Sequence, residues 1–396
     1  MKENVLYYTW GELNKNDAIN AFAGLGYRVT EFKSCHTKYD YDENNMHKLE
    51  KMIENMTDVS FVFSFNYFPD VSRVAQKKNI IYISWVYDCP HYTLESETLN
   101  NECNRVFIFD SELAAKYEML GINTVQYMPL PARIISNAFG GNGPASFMHD
   151  ISFVGTMYDG DRDLYGQINS LPAMLKGKLD GYVMAQHLMY GCDLLGELIN
   201  ESSYFEIKKY VNNNLGAYYR ECDKEIFINI MKRRVTMLDR INALRLLGGL
   251  IDMGALPAKD IGLYCEKSHP ELPVKNMGYA DHETKLPQVL VGSRVNLNIS
   301  LRSIDTGVPL RVMHILGAGG FCLTNYQSDL ERHFENGREL VWYYNEDDLV
   351  EKIQYYLTND REREEIARKG YEKAKECFSY SALLTEIMKK SGVWKE

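Results

Sequence analysis

The residues best suited to chemistry lie between 305 and 325, where Asp305, Thr306, Gly307, Val308, Pro309 and Leu310 lead into an apolar run, Val312, Met313, His314, Ile315 and Leu316. A turn of small residues opening a helix presents backbone amides, and the helix dipole behind them favours an anion. Gly307 lets a ligand approach the backbone closely, so Thr306 and Gly307 are candidates to hold a diphosphate. The same residues also read as an ordinary capped helix start, with Thr306 as cap and Pro309 in the first turn. A second candidate set is Asp88 and His91, which follow the apolar run 80–85. Either side chain can orient or deprotonate a hydroxyl near neutral pH. An aspartate before Pro90 equally suits a chain reversal. Trp10 and Gly11, after the first apolar run, would form a lip of the same site. Tyr279, beside Met277 and Gly278, can stack on a planar base or a sugar ring. Arg162, Lys285, Arg302 and Arg311 stand near expected strand ends or the helix start; each is either a surface charge or a group that neutralises an anion.

The elements that must position these residues are read from hydrophobic period. Short apolar, β-branched or aromatic runs at 5–8, 27–30, 61–65, 80–85, 105–109 and 124–128 alternate with helical stretches, the pattern of buried parallel strands joined by crossover helices. Between about 131 and 149 the composition turns to that of a linker, with Pro131, Gly140, Gly141, Gly143 and Pro144. A second strand series begins at 151–156, ending in Gly155 and Thr156, and resumes at 261–265, 295–299, 320–324 and 340–343. The stretch from about 160 to 250 is too long for one crossover and reads as a helical insertion. The expected fold is α/β, with two Rossmann-like doubly wound domains at 1–145 and 146–378. A last helix, 379–396, packs back on the first domain. Ligands of such sheets bind at the carboxyl ends of the strands, which makes an interdomain cleft the expected site.

Composition narrows the function classes. The 396 residues carry 44 Lys and Arg against 54 Asp and Glu, a net charge of -10, which argues against nucleic acid as a partner. Lys232, Arg233, Arg234 and Arg240 form the densest basic group and read as a solvated helix face. No run of 18 uncharged apolar residues occurs, so a membrane span is not expected, which leaves room only for peripheral association. Eight cysteines without a Cys-x-x-Cys pattern read as reduced thiols of a cytoplasmic protein, and no metal site is expected. Asp159-Gly160-Asp161 and Asp40-Tyr41-Asp42 are cheap patterns and are discounted. His187, His269, His282 and His333 lack ligand spacing and read as surface or satisfied core residues.

The segment 307–321, followed by Leu323, Thr324 and Asn325, resembles the signature of the CgeB-like branch of group 1 glycosyltransferases. The likeness continues through 334–341, Asp348 and Leu349, 355–357, 363–367, and Gly370 with Tyr371. It extends upstream to 293–300, 151–156 and 83–91. The resemblance implies the GT-B fold and transfer of a sugar from a nucleoside diphosphate donor, with no permanently bound cofactor and usually no metal. The acceptor, which the sequence does not identify, would sit on the N-terminal domain and the donor on the C-terminal one. Gly155 would lie by the donor phosphates, Thr306 and Gly307 would offer amides to the diphosphate, and His314 would stand near the ribose. Group 1 retaining enzymes often carry two glutamates eight residues apart where this chain has Thr306 and His314, so the stereochemical outcome is not implied. A structural or assembly protein of spore-coat or surface type, and a nucleotide-sugar epimerase, are the alternatives.

Overall fold

The computed structural model describes residues 4–35, 41–136, 147–215 and 222–394. Most of the stretch read as a linker, 137–146, and Asp40 lie outside them. The chain divides into two compact units: residues 1–134 with 306–313 and 372–396, and residues 135–305 with 314–371.

The first unit is built on six strands, β1 (Asn4–Thr9), β2 (Arg28–Lys33), β3 (Val59–Phe65), β4 (Ile81–Val86), β5 (Asn104–Ile108) and β6 (Val125–Tyr127). They form one parallel sheet in the order β2-β1-β3-β4-β5-β6. The apolar runs are near-continuous because both faces are buried. On one face Leu6, Tyr8, Val62, Tyr82 and Val106 pack with Leu49, Ile53, Val71 and Val74 from the helices Glu43–Asn55 and Pro69–Lys78. On the other, Tyr7, Phe61, Phe63 and Phe65 form an aromatic layer with Phe22, on the helix Lys15–Gly24, and Trp85. The helix Tyr380–Lys390 joins this face, with Tyr380 edge-on to Trp85 at 6.4 Å. Phe378 and Ala132 are linked by a backbone hydrogen bond of 2.7 Å.

The second unit repeats the plan with β7 (His149–Val154), β8 (Ile261–Tyr264), β9 (Lys275–Asn276), β10 (Ser293–Asn298), β11 (Cys322–Asn325) and β12 (Val341–Tyr343). All are parallel, in the order β12-β11-β10-β7-β8-β9. Only β9, a two-residue edge strand with both residues exposed, carries no apolar signal in the sequence. Among the described residues, the stretch from β7 to β8 holds four α-helices, Ala173–His187, Leu194–Leu198, Glu201–Leu215 and Lys224–Asp252, so the insertion is helical. It has its own core, in which Leu179, Val183, Leu195, Tyr204 and Ile207 meet Phe227, Met231 and Val235. The helix Lys224–Asp252 then continues into the sheet core through Ala243, Leu244 and Leu247. Because it serves two cores in succession, its apolar side is not one stripe, which is why helical periodicity alone understates its burial. Among the described residues no helix is long and apolar enough to cross a membrane.

Two neighbouring glycines in that long helix should respond oppositely to alanine. A Cβ on Gly248 would run into the carbonyl of Pro273, whereas one on Gly249 meets no atom outside the helix within 4 Å. Urea denaturation should show Gly248→Ala destabilised by about 1–3 kcal/mol. Gly249→Ala should be stabilised by about 0.5–1 kcal/mol.

Candidate active site

In each parallel sheet the ligand crevice lies at the carboxyl ends of the strands, where the strand order reverses. In the first unit that point lies between β1 and β3. Gly11, just past β1, turns the chain with φ +99°, a conformation glycine tolerates. Trp10 donates its indole N–H to the Phe65 carbonyl at 3.1 Å and stacks on Tyr87 at 6.3 Å, leaving the ring 36% exposed. Asn66, just past β3, is held in the left-handed region with φ 59°, uncommon outside glycine and a frequent mark of functional loops. Its Nδ2 donates to Asp88 Oδ2 at 2.7 Å, while its Oδ1 accepts the amides of Tyr87 and Asp88 at 3.1 and 3.3 Å. Asp88 is therefore an exposed carboxylate aimed by a buried amide, beside an aromatic platform. His91 is placed differently from the expectation of a second base. Its Nε2 accepts the Tyr67 amide at 3.0 Å and lies 2.8 Å from Thr93 Oγ1, so it fastens the loop after β4. Burial pulls its pKa below the usual histidine value, with the Tyr67 contact and Asp88 opposing.

The amides expected to meet a diphosphate have a protein partner. Asp110, just past β5, accepts from Thr306 N at 2.8 Å and Gly307 N at 3.1 Å through Oδ2. Its Oδ1 accepts from Thr306 Oγ1 at 2.9 Å and from Leu113 N at 3.0 Å, capping the helix Ser111–Met119. One buried carboxylate thus serves the start of that helix and the turn before the helix Leu310–Ala318. Gly307 also has a packing reason: a Cβ there would stand 2.7 Å from the Phe109 ring and 2.8 Å from the Phe109 carbonyl. The small-residue turn fits an anion, as its chemistry predicts, and the anion it holds is Asp110. Arg311 lies half-buried in the first turn of the helix that follows.

In the second unit the strand order reverses between β7 and β10. Gly155 directly follows β7, and Arg162 is an exposed group paired with Glu266 at 2.7 Å. Tyr279 is 61% exposed, next to Gly278 at φ +74°. Lys285 opens the helix Lys285–Val291, its amide bonded to Asp281 at 3.2 Å. Arg302 departs from the phosphate-binding expectation. It forms a short ion pair with buried Asp239 at 2.6 Å, donates to the Met189 carbonyl at 2.7 Å, and lies 3.8 Å over the Tyr190 ring. Burial alone would lower its pKa, but Asp239 more than offsets this and raises it. His187 shares Asp239 at 2.6 Å. His314 is buried with its Nε2 3.2 Å from His282 Nε2, so His282, read from sequence as unremarkable, is its direct neighbour. Among the described residues no group of three or more His, Cys, Asp or Glu side chains is arranged to hold a metal ion.

Residues 234–389 match a family model described as glycosyl transferase-like. No curated protein matches its sequence. Among solved structures, a glycosyltransferase from Rickettsia africae is similar over 100% of this chain and 99% of its own, with TM-score 0.52 and 11% identity. The sucrose-phosphate synthase of Thermosynechococcus elongatus is similar over 98% of each chain, with TM-score 0.52 and 10% identity. AviGT4, a glycosyltransferase involved in avilamycin A biosynthesis, is similar over 98% of this chain and 97% of its own, with TM-score 0.50 and 11% identity. At such identities the likeness speaks for the fold alone, and the fold is GT-B.

The segment matched by the family model begins within the helix Lys224–Asp252, and here the structure overturns the reading of that helix's basic group as a solvated face. Lys232 and Arg240 are 5% and 8% exposed. Lys232 bridges Asp193 and Asp305 at 2.8 and 2.7 Å. Burial opposes its charge, yet the two carboxylates hold its pKa above the ordinary lysine value. Asp110 and Asn66 were also missed, since a lone Asp before a helix and a lone Asn after a strand are too common to stand out.

Asp110→Ala should cost at least about 2 kcal/mol in urea denaturation, because it removes a cap and strands buried donors. The sign for His91 follows from its lowered pKa: the unfolded chain takes up the proton more readily, so stability falls as pH drops below about 6.5. His91→Gln should reduce that acid loss between pH 6.5 and 5 by up to about 1.4 kcal/mol per pH unit, read from melts at stepped pH.

Proposed function

We propose that this protein is a glycosyltransferase of the CgeB-like branch, moving a sugar from a nucleoside diphosphate sugar to an acceptor hydroxyl. The observation that carries the reading is the coincidence of a glycosyl transferase-like domain with two all-parallel six-stranded sheets in a GT-B chain. The donor belongs on the second unit, at the carboxyl ends of β7 and β10, with Gly155, Arg162, Tyr279, Lys285 and His314 as donor-side residues. Arg311, with Thr306 and Gly307, fixes the start of the helix Leu310–Ala318, and Arg302 braces the loop after β10. The acceptor belongs on the first unit, where Trp10 and Gly11 line the approach and Asp88 takes the proton of the attacking hydroxyl. As that oxygen bonds to the anomeric carbon, the bond from the carbon to the diphosphate oxygen breaks through an oxocarbenium-like state. The electron pair leaves with the nucleoside diphosphate, whose charge must then be met by cations and amides. Eight cysteines, all free thiols, suit the reducing cytoplasm, where we place the protein.

A panel of nucleotide sugars tests this, followed by thermal shift for binding and by release of nucleoside diphosphate for turnover. One donor should both bind and turn over; a panel in which none does either sinks the reading. With that donor, Asp88→Asn should lower kcat by about a hundredfold or more while leaving donor affinity within about twofold, the pattern of a lost general base.

A further inference from the structure

The loop after β1 is tied down by one buried carboxylate. Glu12, 6% exposed, accepts from the Tyr7 hydroxyl at 2.8 Å through Oε1, and from Thr9 Oγ1 at 3.1 Å and the Trp10 amide at 2.9 Å through Oε2. All three donors are neutral, so its hydrogen bonds are met while its charge is not. Asp88 is alike in this respect. Its Oδ2 accepts from the Asn66 amide, its Oδ1 accepts no hydrogen bond, and it forms no ion pair among the described residues. The titratable neighbour that could offset it, His91, has a lowered pKa and is neutral at pH 7.

Both carboxylates act on Tyr87. Burial raises the pKa of its phenol most, Asp88 and Glu12 raise it further, and the hydroxyl stays protonated. That hydroxyl makes no hydrogen bond among the described residues. The Tyr87 ring stacks at 24° on Trp10, and Phe65 meets it edge-on at 5.5 Å. Trp10 is fixed by its indole N–H on the Phe65 carbonyl, by its amide on Glu12 and by its ring against Tyr87 and Phe68, yet it stays 36% exposed. A ring already held still loses little further freedom when a ligand covers it. A pyranose is apolar on its C–H faces and polar around its rim. Its C–H face suits the indole, and neighbouring hydroxyls suit Asp88 Oδ1, which accepts, and Tyr87 Oη, which donates or accepts. A phenol would cover the ring equally well, but its single O–H leaves one of those two groups unmatched. A phosphate or carboxylate on the acceptor would meet two like charges with no cation to offset them.

We propose that the acceptor is an uncharged sugar, seated with a C–H face on Trp10 and with its hydroxyls on Asp88 and Tyr87, and that the unmatched charges of Glu12 and Asp88 turn away phosphorylated and acidic acceptors. The assignment rests on the reading of the protein as a sugar transferase, and it names the substrate class of the acceptor side. Trp10 and Tyr87 touch the acceptor and are binding residues. Glu12 acts through the Trp10 backbone and is a positioning residue.

Saturation-transfer NMR and calorimetric titration of the full-length protein test this apart from turnover. The neutral probes are the methyl glycosides of glucose, galactose, mannose and N-acetylglucosamine; the counter-probes are the 6-phosphates of the same sugars, glucuronate and p-cresol. At least one glycoside should bind, and more tightly than every counter-probe. Trp10→Ala should weaken it about fivefold or more, and Trp10→Phe should recover most of that loss. Phe205→Ala, which removes an exposed aromatic ring from the helical insertion, should match the wild type. A thermal melt shows whether Trp10→Ala stays folded; Tyr87→Phe, which removes only a hydroxyl without a hydrogen bond, keeps the test valid if it does not, and should weaken the glycoside about threefold. Asp88→Asn should narrow the gap between the glycoside and its 6-phosphate by about threefold at low salt, and less as salt rises. A counter-probe bound more tightly than every glycoside, no glycoside bound at all, or glycoside binding unchanged in both Trp10→Ala and Tyr87→Phe overturns the proposal. Glycoside binding that depends on Trp10 with no nucleotide sugar turned over keeps the sugar site and removes the transferase reading. Transfer from a nucleotide sugar to a phenol or a phosphorylated acceptor, unchanged in Trp10→Ala, does the reverse.

Discussion

All strands in each sheet run the same way, and that constraint governs the rest of the molecule. A parallel sheet needs a crossover after every strand, and the crossovers must cover both faces, so the strands are buried on both sides and every carboxyl end arrives at one edge. Loops leaving that edge need not repeat the sheet's hydrogen bonding. In the first unit they carry Trp10, Asn66, Asp88 and Asp110; in the second, Gly155, Tyr158 and Arg302. Gly11, Asn66, Tyr158 and Gly160, in loops that leave that edge, are at positive φ.

Around those edges the organising force is the matching of buried charge. Asp110 collects four donors from two chain segments, and Asp239 joins Arg302 to His187. Lys232 is closed off by two carboxylates. These groups are structural because their charges are already met. Measured against them, Asp88, exposed and held through one oxygen, is an exception. A residue's type does not separate support from chemistry here; the state of its counter-charge does.

The two-sheet plan was legible in the sequence for a physical reason. Burial on both faces demands apolar runs such as Phe61–Phe65 and Ile81–Val86, and each such run became a strand. The segment after Asp305 was legible as a small-residue turn onto a helix for the same kind of local reason. What the turn binds was not legible, because its partner Asp110 lies nearly two hundred residues away. Arg302 read as a charge available near a strand end for a similar reason: only the fold brings Asp239 to it.

The sequence by itself therefore determined the fold class, the helical insertion and the edge of each sheet where chemistry belongs, since these follow from hydrophobic period and local turn chemistry. Which polar residues at those edges are spent on the protein's own structure was decided only in three dimensions. Ion pairing is a property of distance in space, and Lys232 with Asp305, Arg302 with Asp239, and Asp110 with Thr306 are far apart along the chain.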